Sequence, residues 1–269
     1  MPSTLANPQL AARMTEQVRV VELTRRRKAA QRLRQLATYI DPLDLSYSRQ
    51  AIRLVVASQQ VSAHQAVAYL NAYVEALGGS ALDLKEALQV DVGYSGRAGQ
   101  SVAHVRRKGE RYASVHGREQ AKAWTSRQQQ RVAADLTWMA FRDTVHAGVE
   151  LHPEVIGYRR VPSPLACGAC LALATGEVLE PGTVFRAHPA CRCGIEPVLK
   201  DADLVHRPTG RDLFDRMSAE EQDRHFGREK AALLRSGDVA FEDLISRPKG
   251  GIGRLPLVTE TPLHRLQPK

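Results

Sequence analysis

All four cysteines of this 269-residue chain fall between Cys167 and Cys193. They are spaced as Cys167-x-x-Cys170, then twenty residues, then Cys191-x-Cys193, with His188 three positions before Cys191. A reduced chain has no reason to gather its thiols unless something binds them. A C-x-x-C turn curls the backbone so that two thiolates converge on one ion at about 2.3 Å. Cys191 and Cys193, if extended, point to the same side of a strand, because side chains alternate with period two. They can supply the other half of a tetrahedral site, as Cys₄, or as Cys₃His with His188 replacing one thiolate. The spacing therefore predicts a structural zinc site drawn from Cys167, Cys170, His188, Cys191 and Cys193. Two alternatives stay open: disulfides, for which four cysteines allow three connectivities, and buried unligated thiols. A closed four-ligand site has no open position for substrate, so metal catalysis does not follow from it.

The chain ahead of the cluster reads as helix after helix. Met14, Val18 and Val21, then Leu33, Leu36, Ala37 and Ile40, recur at three- and four-residue steps. Asp41-Pro42 breaks that run. A second helix is expected over roughly Leu43 to Gln59, and a third over Ser62 to Leu77, stopped by Gly78-Gly79. Gly93, Gly96 and Gly99 suggest a loop before a longer helix over Glu110 to Ala147, with Val132, Leu136, Met139 and Ala140 inward. Trp138, Phe141 and Val145 lie on an adjacent face, so its end should be covered on more than one side.

After Gly148 the texture changes. Pro153, Pro162, Pro164, Pro181, Pro189 and Pro197 punctuate short apolar pieces, which excludes long helices and permits short strands around Gly157–Val161 and Gly194–Val198. Thr175-Gly176-Glu177 and Pro181-Gly182 are turn candidates that would fold the intervening chain into a small hairpin. The region has few large apolar residues, so metal binding would supply folding free energy directly. Ser218-Ala219-Glu220-Glu221 is a capping box opening a last helix to about Arg235, ended by Ser236-Gly237. The fold class expected is mainly α: a basic helical domain over 1–150, an α+β module with a zinc-knuckle-like Cys/His cluster over 151–247, and an extended tail over 248–269.

The residues of this second part also resemble a known family. Gly157-Tyr158-Arg159-Arg160-Val161-Pro162, Cys167-x-x-Cys170-x-Ala172-Leu173-Ala174, Phe185-x-x-His188-x-x-Cys191-x-Cys193 and Glu196-Pro197-Val198 are similar to the MuF-like domain of tailed-phage head morphogenesis and minor capsid proteins. Phe214-x-x-Met217-Ser218-x-Glu220-x-Gln222-x-x-x-Phe226-Gly227 resembles the segment that follows that domain. The resemblance covers about residues 150–245. It implies a structural role in head assembly, with few copies near the portal and with portal, major capsid or scaffold protein as partners. The location implied is the host cytoplasm during assembly and then the virion, inside the capsid. Some relatives in actinobacterial phages are labelled capsid maturation protease, which makes that activity the first alternative. A zinc-containing nucleic-acid-binding protein unrelated to phage is the second.

The sequence offers little protease chemistry. There is no G-x-S-x-G elbow; Ser101 in Gly99-Gln100-Ser101-Val102-Ala103 lacks the second glycine. His64, His104, His116 and His146 have no recognisable partner, and no H-E-x-x-H occurs. Cys167 with His188 can be drawn as a nucleophile and base, but four thiols around one histidine suit ligation better. No catalytic residues are assigned.

The formal charge of +9 is uneven. Residues 1–40 hold eight bases and two acids, and residues 97–131 hold nine bases and two acids. Such helical clusters read either as a solvated or protein-contacting basic face or as phosphate neutralisation; in the second reading Arg25, Arg26, Arg27, Lys28, Arg106, Arg107 and Lys108 are the contacts for DNA, made without sequence preference, or for an acidic partner. Aromatic residues are 5% of the chain, and Trp124 alone is expected inside the second cluster, which gives base stacking poor support. No segment approaches the ~18 apolar residues of a membrane span. The opening Met1-Pro2-Ser3-Thr4-Leu5 lacks the basic start and apolar core of a signal peptide.

Overall fold

The computed structural model describes residues 6–82, 94–163, 166–185, 187–188, 191–200 and 205–244. The chain divides between Glu154 and Val155 into two compact units. It is mainly helical, with one small two-stranded sheet.

The first unit is built from α1 (Pro8–Tyr39), α2 (Leu45–Ala76), α3 (Tyr94–His116) and α4 (Arg118–Leu151). Asn7 caps α1 by accepting from the Leu10 N–H at 2.9 Å, with Pro8 in the first turn, where its missing N–H costs nothing. Asp41-Pro42 ends α1 as the sequence implies, with Ile40 already extended. The helices alternate in direction. The Asn7 N–H reaches the Ala76 carbonyl at 2.7 Å, Arg118 at the start of α4 pairs with Asp41, and Arg97 on α3 pairs with Asp143 near the end of α4. Helix α4 packs against each of the other three.

Two expectations about these helices need correction. The second and third helices are one continuous α2. Nothing in Gln59-Gln60-Val61-Ser62 breaks a helix, and the Ser62 hydroxyl donates to Glu22 across the bundle at 2.7 Å. In the other direction, the long helix starts earlier and is interrupted. Gly96 and Gly99 lie within α3, whereas Gly117, at φ +82°, separates α3 from α4. Gly93 lies outside the described residues.

The core of this unit combines small residues (Ala29, Ala51, Ala98, Ala133) with Leu33, Tyr47, Val55, Val102 and Leu136. Small side chains let the helices approach closely. A Cβ at Gly109 would collide with the Thr125 side chain of α4 and with Leu43. The interior is also unusually polar. Glu22 is fully enclosed, accepting from Ser62 and from Arg25 at 2.6 Å, and Arg26 donates to Asp135 at 2.8 Å. Burial raises the Glu22 carboxyl above its ordinary range, against the opposing pull of Ser62 and Arg25. Gln129 has no exposed surface and no hydrogen-bond partner among the described residues, and the Gln59 carbonyl oxygen is enclosed in the same way.

The second unit consists of β1 (Val155–Val161), α5 (Gly168–Ala172), β2 (Gly194–Leu199), α6 (Gly210–Asp215), α7 (Ala219–Phe226), α8 (Arg228–Ser236) and a 3₁₀ turn over Phe241–Leu244. Strands β1 and β2 are antiparallel, with Arg159 opposite Glu196 and Arg160 opposite Ile195. Pro197 stands opposite Tyr158, whose own N–H and carbonyl turn away to Leu179 at 2.9 and 2.8 Å, so the proline interrupts no ladder bond. The expected hairpin between the cysteine pairs is therefore reduced to this single bridge at Leu179. Ser218 and Glu221 form the predicted capping box, and Thr209 with Asp212 forms another. The single last helix read from the sequence is two, because Gly227 at φ +80° breaks α7 from α8. The proposed tail over 248–269 lies outside the described residues.

Two tests follow for the bundle. Replacing Gln129 by Leu removes enclosed polar atoms that have no partner, each costing about 1–3 kcal/mol, so the variant should unfold at higher denaturant concentration. Glu22 titrates in the folded chain above its ordinary 4.5, so its ionised form costs stability at neutral pH. That cost is relieved as pH falls through the raised value. Relative to Glu22→Gln, the natural protein should therefore gain stability between pH 7 and about pH 4.5, read from chemical denaturation across pH.

Candidate metal centre

Helix α5 presents the first cysteine pair. Cys167 occupies its N-cap with extended backbone, and Cys170 lies one turn in, so both sulfurs emerge on one side. The second pair arrives from the opposite direction, just ahead of β2, where the Cys191 N–H closes a turn onto the His188 carbonyl at 3.1 Å. Two close approaches hold α5 in place. A Cβ at Gly210 would fall on the Leu171 carbonyl, and one at Gly168 would meet the Phe226 ring. Behind α5, Phe214, Phe226 and Phe241 pack edge to face with centroids 5.3–5.5 Å apart. The sequence reading underestimated this core: three of the chain's five phenylalanines, far apart in sequence, meet here.

The five candidate donors converge. The Cys167 and Cys170 sulfurs lie 3.0 and 3.1 Å from His188 Nε2, and Cys170 lies 3.5 Å from the Cys191 sulfur. Cys167, Cys170 and His188 form one group with all donor atoms within 4.8 Å of one another, and Cys170, Cys191 and Cys193 form a second. Cys170 belongs to both. All four cysteines are free thiols. Cys170, Cys191 and Cys193 are buried, and Cys167 is half-buried.

Packing thiols this tightly divides their protons unequally. Cys167 is lowered to about 5, chiefly by the hydrogen bond from Cys170, against its burial and with help from the Cys170 N–H and His188. Cys170 is driven strongly upward by its bonds to Cys167, Cys191 and Cys193 and by burial. Cys193 is pulled down by Cys170, but the Cys191 thiol and burial outweigh this and lift it to about 11. Several adjacent thiolates cannot be ionised together without a positive charge among them.

A metal ion supplies such a charge, and the donor set fits one. Thiolate sulfurs at about 2.3 Å and an imidazole nitrogen at about 2.0–2.1 Å around a tetrahedral ion stand roughly 3.5–3.8 Å from each other. The Cys170–Cys191 contact of 3.5 Å meets that range, and the two sulfur contacts to His188, at 3.0 and 3.1 Å, are shorter and would open slightly around an ion. The cluster can hold a metal ion, with five donors available for four positions.

Residues around the cluster that the sequence reading did not single out carry the unit's buried charge. Glu196, enclosed on β2, accepts from Arg159 Nη2 at 2.6 Å and from Arg207 at 2.7 and 3.1 Å. Arg159 also donates to the Val205 carbonyl at 3.1 Å. Arg160, on the other face of β1, lies 3.9 Å over the Phe185 ring, beside the side of the core that holds Cys193. The sequence signal available for this network was the unusual Arg-Arg and Glu within strands otherwise apolar.

The basic residues predicted as contacts do not share one environment. Arg26 is buried and paired with Asp135, and Arg25 is held by Glu22 and Gln65, so these two serve the bundle interior and not its surface. Arg106 is paired with Glu110 along its own helix. Arg27, Lys28, Arg107 and Lys108 are exposed. Trp124 is not the lone ring of its cluster, because Tyr112 stacks between it and His116 at 5.5 and 4.0 Å.

With this geometry in hand, comparison with known proteins defines the class. The chain matches the VG15 protein family over residues 12–219, which takes in the helical bundle and the whole Cys/His cluster. It belongs to that family, a viral family of phage genes. No curated protein and no solved structure matches it. Among the described residues no helix is long and apolar enough to cross a membrane.

The shared position of Cys170 ranks the donors. Cys170→Ser should abolish uptake of zinc by the reduced full-length protein, whereas at least one of Cys167→Ser, His188→Gln, Cys191→Ser and Cys193→Ser should retain one ion per chain. Elemental analysis after gel filtration reads both. Acidification should release the ion as its donors protonate. A reduced natural protein that takes up no zinc would remove the site.

Proposed function

We propose that this protein is a structural minor capsid protein of a tailed phage, acting inside the head near the portal during assembly. The observation that carries this reading is the family match over residues 12–219, joined to the MuF-like order of motifs from Gly157 to Val198. The Cys/His cluster supports a structural part for its ion, which is zinc in this reading. Its donors sit in the interior among Ala166, Leu171 and the three phenylalanines, where an ion would join α5 to β2. The partners proposed are the portal, the major capsid protein or the scaffold, and the location is the host cell and then the virion.

One geometric observation favours a second reading, a capsid maturation protease. Cys167 is the accessible thiol of the four, lies 3.0 Å from His188 and is lowered to about 5, as a nucleophile beside a base would be. Against it, His188 Nε2 is approached equally by Cys170, which suits a shared ion better than a dyad. The match to a viral family speaks against a nucleic-acid-binding protein unrelated to phage.

Co-expression of the major capsid protein with this chain separates the two. Under the structural reading the capsid subunit keeps its full mass in intact-mass spectrometry, and this protein is recovered in purified heads at low copy. Trimming that requires Cys167 would establish the protease instead, and absence from heads with no trimming would dispose of both.

A further inference from the structure

Helix α3 carries its positive charge in a way no other helix of the bundle does. Ala98, Val102, Val105 and Gly109 form its buried side. Arg97, His104, Arg107, Lys108 and Arg111 are all exposed, and at 3.6 residues per turn they fall within an arc of about 100° on the opposite side. From Arg97 to Arg111 this row runs about 21 Å at 1.5 Å per residue. On the adjoining α4, Arg127 and Arg131 are exposed one turn apart.

The acids nearby are already engaged. Glu110 pairs with Arg106, Glu119 with Lys122, Asp41 with Arg118 and Lys122, and Asp143 with Arg97. Arg107, Lys108, Arg111, Arg127 and Arg131 have no ion-pair partner among the described residues. The bases of α1 differ in arrangement: Arg27, Lys28, Arg32 and Arg34 spread over about 160° of that helix, next to exposed Val20 and Val21.

We propose that the outer face of α3 binds duplex DNA through its phosphate backbone, using Arg107, Lys108 and Arg111, with Arg127 and Arg131 of α4 adding to the same field. A band of cations on one helix face can follow a run of phosphates along a duplex. The rings at the end of the α3–α4 hairpin decide against recognition of unpaired bases. Tyr112 stacks on His116 and on Trp124 with centroids 4.0 and 5.5 Å away, so these rings are engaged with one another within the protein. The depression between α3 and α4, lined by Gln100, Ser101, His104, Val105, Arg107 and Val132, is open to solvent and contains no aromatic side chain on which a base could stack. Binding is thus electrostatic and indifferent to sequence. It goes beyond the head-protein reading and does not depend on it.

The test is fluorescence anisotropy of a labelled 30-base-pair duplex titrated with the full-length protein at several salt concentrations. Each phosphate contact adds about 0.9 to the slope of log K against log salt. The triple variant Arg107→Gln/Lys108→Gln/Arg111→Gln should lower that slope by roughly 2.7 and weaken binding about tenfold at low salt. Its thermal unfolding should match the natural protein, since none of the three is buried. The matched variant Arg27→Gln/Lys28→Gln/Arg32→Gln should keep the natural slope, and a single strand of equal length should bind no more tightly than the duplex. No binding to the duplex at low salt, an unchanged slope in the α3 variant, an equal loss in both variants, or preference for the single strand would each overturn the proposal.

Discussion

The convergence of donor atoms on Cys170 is the constraint around which the second unit is organised. Its elements are too short to hold themselves: α5 has five residues, β2 six, α7 eight and α8 nine. Isolated helices below about 12–15 residues are marginal in water, and a lone two-stranded sheet is no better. Helix α5 is the wall that joins two otherwise separate sources of stability. Its sulfur-bearing side meets His188, Cys191 and Cys193, while its other side meets the phenylalanine triad and, at Leu171, the backbone of α6. A displaced α5 would lose both. The glycines at 168 and 210 belong to the same logic, since a methyl group at either would push α5 away from its neighbours.

The helical unit solves the opposite problem. Three helices of 32 to 34 residues provide ample length, and their interior can carry polar groups that a smaller core could not. A buried ion pair is weak evidence for stability but strongly constrains register. Sliding α1 by one turn along α2 would strand the Glu22 carboxylate away from Ser62, and sliding it along α4 would strand Arg26 away from Asp135. Small alanine contacts, taken alone, would tolerate such shifts. The polar layer thus specifies an alignment that the apolar layer leaves loose.

This polar layer also explains what could and could not be read from the chain. Signals that act within a few residues were legible: Asp41-Pro42, the Ser218–Glu221 box, the strands flanking the cluster and the C-x-x-C turn. Those that act across the fold were not. Gln59 and Ser62 are polar yet buried, so the apolar stripe lapses in the middle of α2 while the helix itself runs on. Gly96 and Gly99 look like breakers, yet glycine costs an α-helix only about 1 kcal/mol and α3 absorbs two. Arg25 and Arg26 look like a surface charge run until Glu22 and Asp135, the latter more than a hundred positions away, are brought beside them. The cluster itself was legible because ligand spacing is a local pattern on each side and only the joining of the two halves is long-range. The phenylalanines carried no such local pattern.

The separation of charge between the two units bears on what each can touch. In the second unit the buried cations Arg159 and Arg207 are matched to one enclosed carboxylate, and Arg160 lies over an aromatic ring beside the thiols, so its positive charge is directed inward. In the bundle, Glu22 and Asp135 are held by Arg25 and Arg26, while Glu110, Glu119 and Asp143 pair along the surface. Arg107, Lys108, Arg111, Arg127 and Arg131 are exposed without an ion-pair partner among the described residues. Under the proposed DNA contact, a polyanion would meet the exposed cations of the bundle and not the buried thiols. Under the proposed head-protein function, that polyanion would be the packaged genome. A thiolate–metal core turned toward that DNA would face repulsion, because a four-thiolate zinc site is itself negative. The exposed cations thus belong to the bundle, whereas three of the four thiols are buried inside the second unit.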